Sequence, residues 1–85
     1  MTADEKSRIH IAVLQALRAI GATGLSESGL ANSARLAGFT LTVPELAVEL
    51  RTLGDQNLIA AFTPLGGRRW RITALGESQL AEAGL

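Results

Sequence analysis

Apolar residues recur along this chain at two different spacings, which predict helices in some segments and strands in others. Three segments with helical periodicity come first. A short apolar strand, a glycine-containing turn, a second strand and a final helix follow. No internal repeat, low-complexity segment or linker interrupts this order. The 85 residues therefore predict a single mainly helical α+β domain that spans residues 1–85.

The first predicted helix begins at a capping box and runs to about Ile20. Thr2 and Glu5 have the spacing at which a hydroxyl and a carboxylate cap each other's backbone amides. One apolar stripe of this helix consists of Ile9, Val13, Leu17 and Ile20. Ile11 and Leu14 widen the apolar surface, so the helix is buried on two sides. The second side is covered either by the C-terminal segment or by another subunit. We expect His10 to be a partly exposed surface residue.

The second predicted helix follows the segment 21–24, whose two glycines end the first helix. Ser26 is its expected N-cap, and it extends to about Leu36. A modest apolar face is formed by Leu30, Ala34 and Ala37, with Leu36 flanking it. Arg35 lies near the carboxyl end, where a cation suits the helix dipole, and it is also a candidate phosphate contact.

The third predicted helix carries the firmest start signal, a capping box formed by Thr42 and Glu45 with Pro44 in the first turn. Before it, Phe39 and Leu41 are expected to fill the core between helices. The buried stripe is predicted to be Val43, Leu46, Leu50 and Leu53, while Glu45, Glu49, Thr52 and Gln56 project from other faces. Asn57 is expected to leave the helix in a left-handed conformation.

A β-hairpin is predicted over residues 58–72, with a strand at 58–62, a turn at 63–67 and a return strand at 68–72. Alternation places Trp70 and Ile72 toward the core, with Arg68 on the same face at the tip. Arg69 and Arg71 share the other face. Thr73 is the expected cap of a last helix that runs through Ala83, with Leu75 and Leu80 as its anchors.

The order of elements resembles the winged helix-turn-helix domains of small prokaryotic transcription regulators of the MarR, PadR and ArsR type. Three runs carry the resemblance. The third helix follows the pattern Leu46-x3-Leu50-x2-Leu53-x3-Asn57-Leu58-Ile59, in which those families usually place glycine at the position of Asn57. A Gly-Gly hairpin tip precedes basic residues. The run Trp70-Arg71-Ile72-Thr73-Ala74-Leu75-Gly76 is similar to the segment that closes the wing. The resemblance covers about residues 8–83.

The resemblance implies that the third helix enters the DNA major groove and that the hairpin forms a wing against the backbone or minor groove. By position, the helix residues facing DNA are Thr40, Thr42, Glu45, Ala47, Val48, Glu49, Arg51 and Thr52. Two glutamates against one arginine depart from the usual composition of a recognition helix, although a carboxylate can accept from cytosine N4. The predicted DNA-binding residues are Arg68, Arg69, Arg71, Thr42, Arg51, Thr52 and Arg35.

Charge is distributed unevenly along a chain whose formal net charge is zero. Residues 58–72 contain three arginines and no acidic residue, so a local polyanion site is compatible with overall neutrality. Alternatively, these arginines are solvated strand residues, one or two of which pair with Glu77, Glu82 or Asp55. Trp70 is expected to be the core aromatic residue under the sheet, and stacking on an exposed base is the alternative.

Two functions therefore remain open at this point. The first is a DNA-binding transcription regulator, expected to be a symmetric homodimer through the first helix, because one small domain reads few base pairs. The second is a winged-helix adaptor that uses the acidic third helix to bind another protein, in a phage or mobile-element setting. No catalytic constellation, metal-ligand cluster or phosphate loop is present, so we expect neither an enzyme nor a cofactor. The absence of cysteine and of a long apolar run favours a cytoplasmic protein without a membrane span.

Overall fold

The computed structural model describes residues 2–85, which form four α-helices and a two-stranded antiparallel sheet in the predicted order. The helices are α1 (Ala3–Ile20), α2 (Glu27–Leu36), α3 (Val43–Asp55) and α4 (Ala74–Glu82). The strands are β1 (Ile59–Phe62) and β2 (Arg69–Ile72), which form the wing together with the loop between them. A 3-10 turn at Gly21–Thr23 links α1 to the segment before α2. None of the helices in this part of the chain is long and apolar enough to cross a membrane.

Every α-helix begins at the hydroxyl residue that the sequence predicts. Each N-cap oxygen accepts a hydrogen bond from the backbone amide three positions later, in the pairs Thr2 with Glu5, Ser26 with Gly29, Thr42 with Glu45 and Thr73 with Gly76. The complete reciprocal box forms at Thr42, whereas Thr2 shows only the hydroxyl half. Asn57 has the predicted left-handed backbone after α3, with φ of 62°.

The wing is tied to the rest of the domain by a contact that the sequence does not predict. β1 and β2 pair from Ile59 with Ile72 to Phe62 with Arg69. On its other edge, β2 pairs with Leu25, which precedes α2. The backbone N–H of each of Leu25 and Trp70 donates to the carbonyl of the other, at 2.9 and 2.8 Å. β2 is therefore flanked on both sides, and the wing base cannot move independently of the segment between α1 and α2.

The core lies where α1, α2 and α3 meet, above the sheet. Its fully buried side chains include Ile9, Leu17, Leu30, Leu46 and Leu50. Trp70 is buried against this cluster, as predicted for the core aromatic residue. Phe39 and Leu41 are partly buried and pack against it, also as predicted. Burial of large aliphatic side chains from all four helices, Leu80 of α4 included, supplies the main stabilisation of a domain this small.

Some residues assigned to buried stripes are instead exposed. Ile20, Val43 and Leu75 are exposed, as are Leu36 and Ala37 at the end of α2. Ile20 and Val43 are terminal residues of their helices, where the stripe extends past the elements that could cover it. α4 packs closely against the sheet at Gly76, where a Cβ would clash with the Leu58 carbonyl oxygen and the Ile72 side chain. Gly76 and Leu80 face inward, so the neighbouring Leu75 points outward.

Candidate nucleic-acid interface

The outer face of α3 presents a mixed surface rather than the acidic one that the sequence indicates. Glu45, Val48 and Arg51 are exposed along it, and Val48 retains 62% of its accessible surface. Thr52 is partly buried, and its hydroxyl donates to the Val48 carbonyl at 3.2 Å. That hydroxyl keeps its acceptor lone pairs for an incoming donor.

Glu49 is not on this surface, which corrects the prediction that it projects outward among the DNA-facing residues. Its exposed fraction is 4%, and its Oε1 lies 2.9 Å from Nε2 of His10 on α1. A buried carboxylate needs a partner, and the partly exposed His10 is that partner. The pair consists of residues from two different helices, so periodicity within α3 could not reveal it. One of the two glutamates that made α3 look acidic is therefore internal.

Glu45 is exposed, but its carboxylate is engaged at the start of α3. Oε1 accepts from the Thr42 backbone N–H at 3.0 Å, and the Thr42 hydroxyl accepts from the Glu45 N–H at 3.3 Å. The Thr42 backbone amide and, to a lesser extent, the Thr42 side chain lower the pKa of Glu45 below its ordinary value of 4.5. The amide and the hydroxyl of Thr42 therefore both form capping hydrogen bonds. Thr40 and Thr42 are exposed at this end of the helix.

Two of the predicted DNA-binding arginines line one groove between α3 and the wing. Arg51 comes from α3 and Arg68 from the wing, and the groove has a volume of about 410 Å³. The Arg68 guanidinium lies over the Trp70 ring, 4.9 Å from its centroid. Glu27 and Asp55 also line the groove. Within residues 2–85 neither arginine forms an ion pair with a carboxylate, so both guanidinium groups keep donors for an anion.

Arg69 occupies a different position from the other wing arginines because its side chain is bound to the protein. Nε donates to the Thr23 carbonyl and one terminal nitrogen donates to the Gly24 carbonyl, both at 3.0 Å. Gly24 allows the wing to pack closely against this segment, because a side chain at position 24 would clash with the Trp70 carbonyl and the Phe62 ring. The fork of Arg69 therefore clamps β2 onto the segment that follows α1.

The remaining predicted arginines lie outside the groove. Arg71 is on the face of β2 opposite to Trp70, as predicted, and its guanidinium lies 5.0 Å from the centroid of the Phe62 ring. Arg35 is exposed on α2, and its guanidinium donates to the Asn32 side-chain oxygen at 3.4 Å. Among the described residues, no wing arginine forms an ion pair with Glu77, Glu82 or Asp55, which was the predicted alternative. No cluster of three or more His, Cys, Asp or Glu side chains suited to a metal ion occurs there either.

Comparison with known proteins supports the architecture. No protein-family model matches the chain, and no curated protein matches it. Among solved structures, the chain is similar to a PadR family transcription regulator from hypervirulent Clostridium difficile, with a TM-score of 0.71 and 20% sequence identity. The similarity covers 89% of this chain and 82% of that one. The winged-helix fold predicted from the sequence is confirmed.

Proposed function

We propose that this protein binds double-stranded DNA and regulates transcription, with α3 at the major groove and the wing against the phosphate backbone. The observation that carries the proposal is that Arg51 and Arg68, far apart in the sequence, line one groove and form no ion pair with any carboxylate of residues 2–85. Arginine donors in a concave surface suit a phosphate group. The structural similarity to a PadR family transcription regulator supports the same function.

The repulsion between the glutamates of α3 and DNA phosphates is smaller than the sequence implies. Glu49 is buried and hydrogen-bonded to His10, so it does not contribute to the exposed surface of α3. The Glu45 carboxylate accepts from the Thr42 amide, so part of its charge is offset locally. The adaptor hypothesis depended on zero net charge and on an acidic outer face of α3, and only one of the two carboxylates expected on that face is exposed.

The predicted residues divide into roles within this proposal. Arg51 and Arg68 contact phosphates, and Thr42 and Thr52 face the major groove of the DNA. Arg71 and Arg35 contribute longer-range attraction from the flanks. Arg69 positions the wing, because its donors are already committed to the Thr23 and Gly24 carbonyls. Thus the arginine doublet at positions 68 and 69 contains one ligand-binding residue and one structural residue.

The test is binding to mixed genomic DNA fragments, measured by gel retardation at several salt concentrations. Each phosphate contact contributes about 0.9 to the slope of log affinity against log salt, so Arg51→Ala and Arg68→Ala should each reduce the slope by roughly that amount. Lys6→Ala, which removes an exposed cation from the first turns of α1, is the matched control and should leave the slope unchanged. Absence of retardation at low salt overturns the proposal.

We further propose that the protein acts in the cytoplasm as a homodimer that uses the exposed side of α1. A groove of about 260 Å³ lies between α1, the end of α3 and α4, with Ile11, Leu14 and Leu80 among its apolar lining residues. A second copy would cover it and double the DNA contact. Sedimentation should give a mass near two chains at micromolar concentration, and Ile11→Glu should halve it. A mass of one chain for the native protein excludes a stable dimer.

A further inference from the structure

The tip of the wing is narrow and ends in a single apolar side chain. Beyond the last strand pair, the Gly67 amide donates to the Pro64 carbonyl at 3.0 Å and closes a tight turn. Gly67 has φ of +107°, a conformation that disfavours any other residue. The turn places Leu65 outward with 109% of its reference exposure, so its side chain contacts almost nothing. The two glycines that follow it add no side-chain bulk.

The cations of the wing lie behind this tip rather than at it. Residues 63–67 carry no charge. Arg69 is bound to the carbonyls of Thr23 and Gly24, and Arg71 lies against Phe62. Arg68 lies over the Trp70 ring. The wing is consequently basic at its base and apolar at its end, and whatever the end touches must be recognised without charge.

We propose that Leu65 is an apolar wedge that enters the DNA minor groove and partly separates two stacked base pairs, an inference that rests on the proposed DNA-binding function. Leucine is among the side chains that proteins insert between base steps, where they unstack and kink the duplex. A turn of Pro, Leu and two glycines is thin enough to approach a minor groove about 6 Å wide. Arg68, behind the tip, would meet a phosphate that borders the minor groove.

Charge complementarity selects DNA as the occupant. Arg68 and Arg71 are exposed behind the tip, and residues 58–72 contain no acidic residue, so the wing itself is cationic and attracts a polyanion. Insertion also gives the wing a means of sequence selection. Pyrimidine–purine steps such as TA and CA/TG unstack most easily, so the wedge favours sites that carry one of them under the wing.

The experiment uses a duplex of about 30 base pairs that the native protein selects from a random library. 2-Aminopurine replaces adenine in turn at each candidate step, and its fluorescence rises when a base is unstacked. Native protein should raise the signal at one step. Leu65→Ser should abolish that rise and weaken binding roughly tenfold, the loss expected when one leucine side chain no longer becomes buried. Leu65→Met should retain most of both effects.

Leu36→Ser is the matched control, because Leu36 is also exposed, at 88%, but lies on α2. It should change neither the fluorescence nor the affinity. If Leu65→Ser binds and unstacks DNA as the native protein does, the wedge is wrong while DNA binding stands. If the native protein selects no DNA, the proposed function fails and the wedge with it. A fall in sedimentation mass for Leu65→Ser, with DNA binding unchanged, would assign the side chain to self-association and also overturn the wedge.

Discussion

Nε2 of His10 on α1 lies 2.9 Å from Oε1 of Glu49 on α3, and this hydrogen bond joins two helices at a buried carboxylate. Glu49 is buried against α1, whereas Val48 and Arg51 on the same helix are exposed. The pair therefore connects the interior of the domain to the orientation of its proposed recognition helix.

Removing either partner of this bond should destabilise the domain. His10→Ala leaves the Glu49 carboxylate buried without a donor, and the free energy of unfolding should fall by about 1–3 kcal/mol. Urea unfolding at neutral pH measures it. Glu49→Gln keeps an acceptor oxygen, so its free energy of unfolding should fall by less than that of His10→Ala. The double variant His10→Leu/Glu49→Leu should recover much of the loss, since an apolar pair leaves no orphaned polar group. Equal stability of His10→Ala and native protein would show that the bond contributes nothing.

Arg69→Ala should act on stability rather than on phosphate binding. It removes two hydrogen bonds to the carbonyls of Thr23 and Gly24, and the free energy of unfolding should fall by about 1–2 kcal/mol. Arg69→Lys should restore little, since an ammonium group cannot supply the same fork. Arg71→Ala is the control on the same face of β2, and it should lower the free energy of unfolding by less than Arg69→Ala does. A salt slope for DNA binding that drops in Arg69→Ala as steeply as in Arg68→Ala would contradict this division of roles.

Gly76→Ala should be among the most disruptive small substitutions in the chain. A Cβ at this position would clash with the Leu58 carbonyl oxygen and come within 2.7 Å of the Ile72 side chain. Displacing α4 from the sheet should lower the free energy of unfolding by about 2–3 kcal/mol, as measured by chemical denaturation. Gly66→Ala, where nothing lies within 4 Å of the added carbon, should change stability by less than about 0.5 kcal/mol.

The capping box at Thr42 makes part of the stability depend on acid pH. The lowered pKa of Glu45 means that its ionised form is favoured in the folded state. The stabilisation is therefore complete above the ordinary value of 4.5 and is lost as the pH falls through the lowered folded-state value. Glu45→Gln keeps an acceptor for the Thr42 amide but does not titrate. The difference in melting temperature between native protein and Glu45→Gln should shrink below pH 4.5. A difference that is constant across that range would contradict the assignment.

Interactions within a few residues were the predictable part of this fold. The four N-caps and the left-handed Asn57 involve groups that are neighbours in the chain, so their spacing alone identifies them. The burial of Trp70 follows from strand alternation together with the apolar character of its face.

The parts of the candidate site that could not be predicted depend on partners distant in sequence. Glu49 has the spacing of an outward residue on α3, and only the position of His10 on another helix makes its burial tolerable. Arg68 and Arg69 are adjacent and identical in type, yet one lines a groove and the other binds backbone carbonyls. Long guanidinium side chains reach many acceptors, and the choice is set by the packing of the segment before α2 against β2.

The pairing of Leu25 with Trp70 also bears on how the domain assembles. Hairpins form from local contacts, but β2 reaches its final place only after the chain has closed a long loop that contains α2, α3 and β1, a step with a substantial entropy cost. We expect the wing to acquire its native environment late, once the helices have already packed. The Trp70 amide should accordingly exchange with solvent deuterium at nearly the rate of global unfolding, whereas the loop amides at 65 and 66 exchange freely.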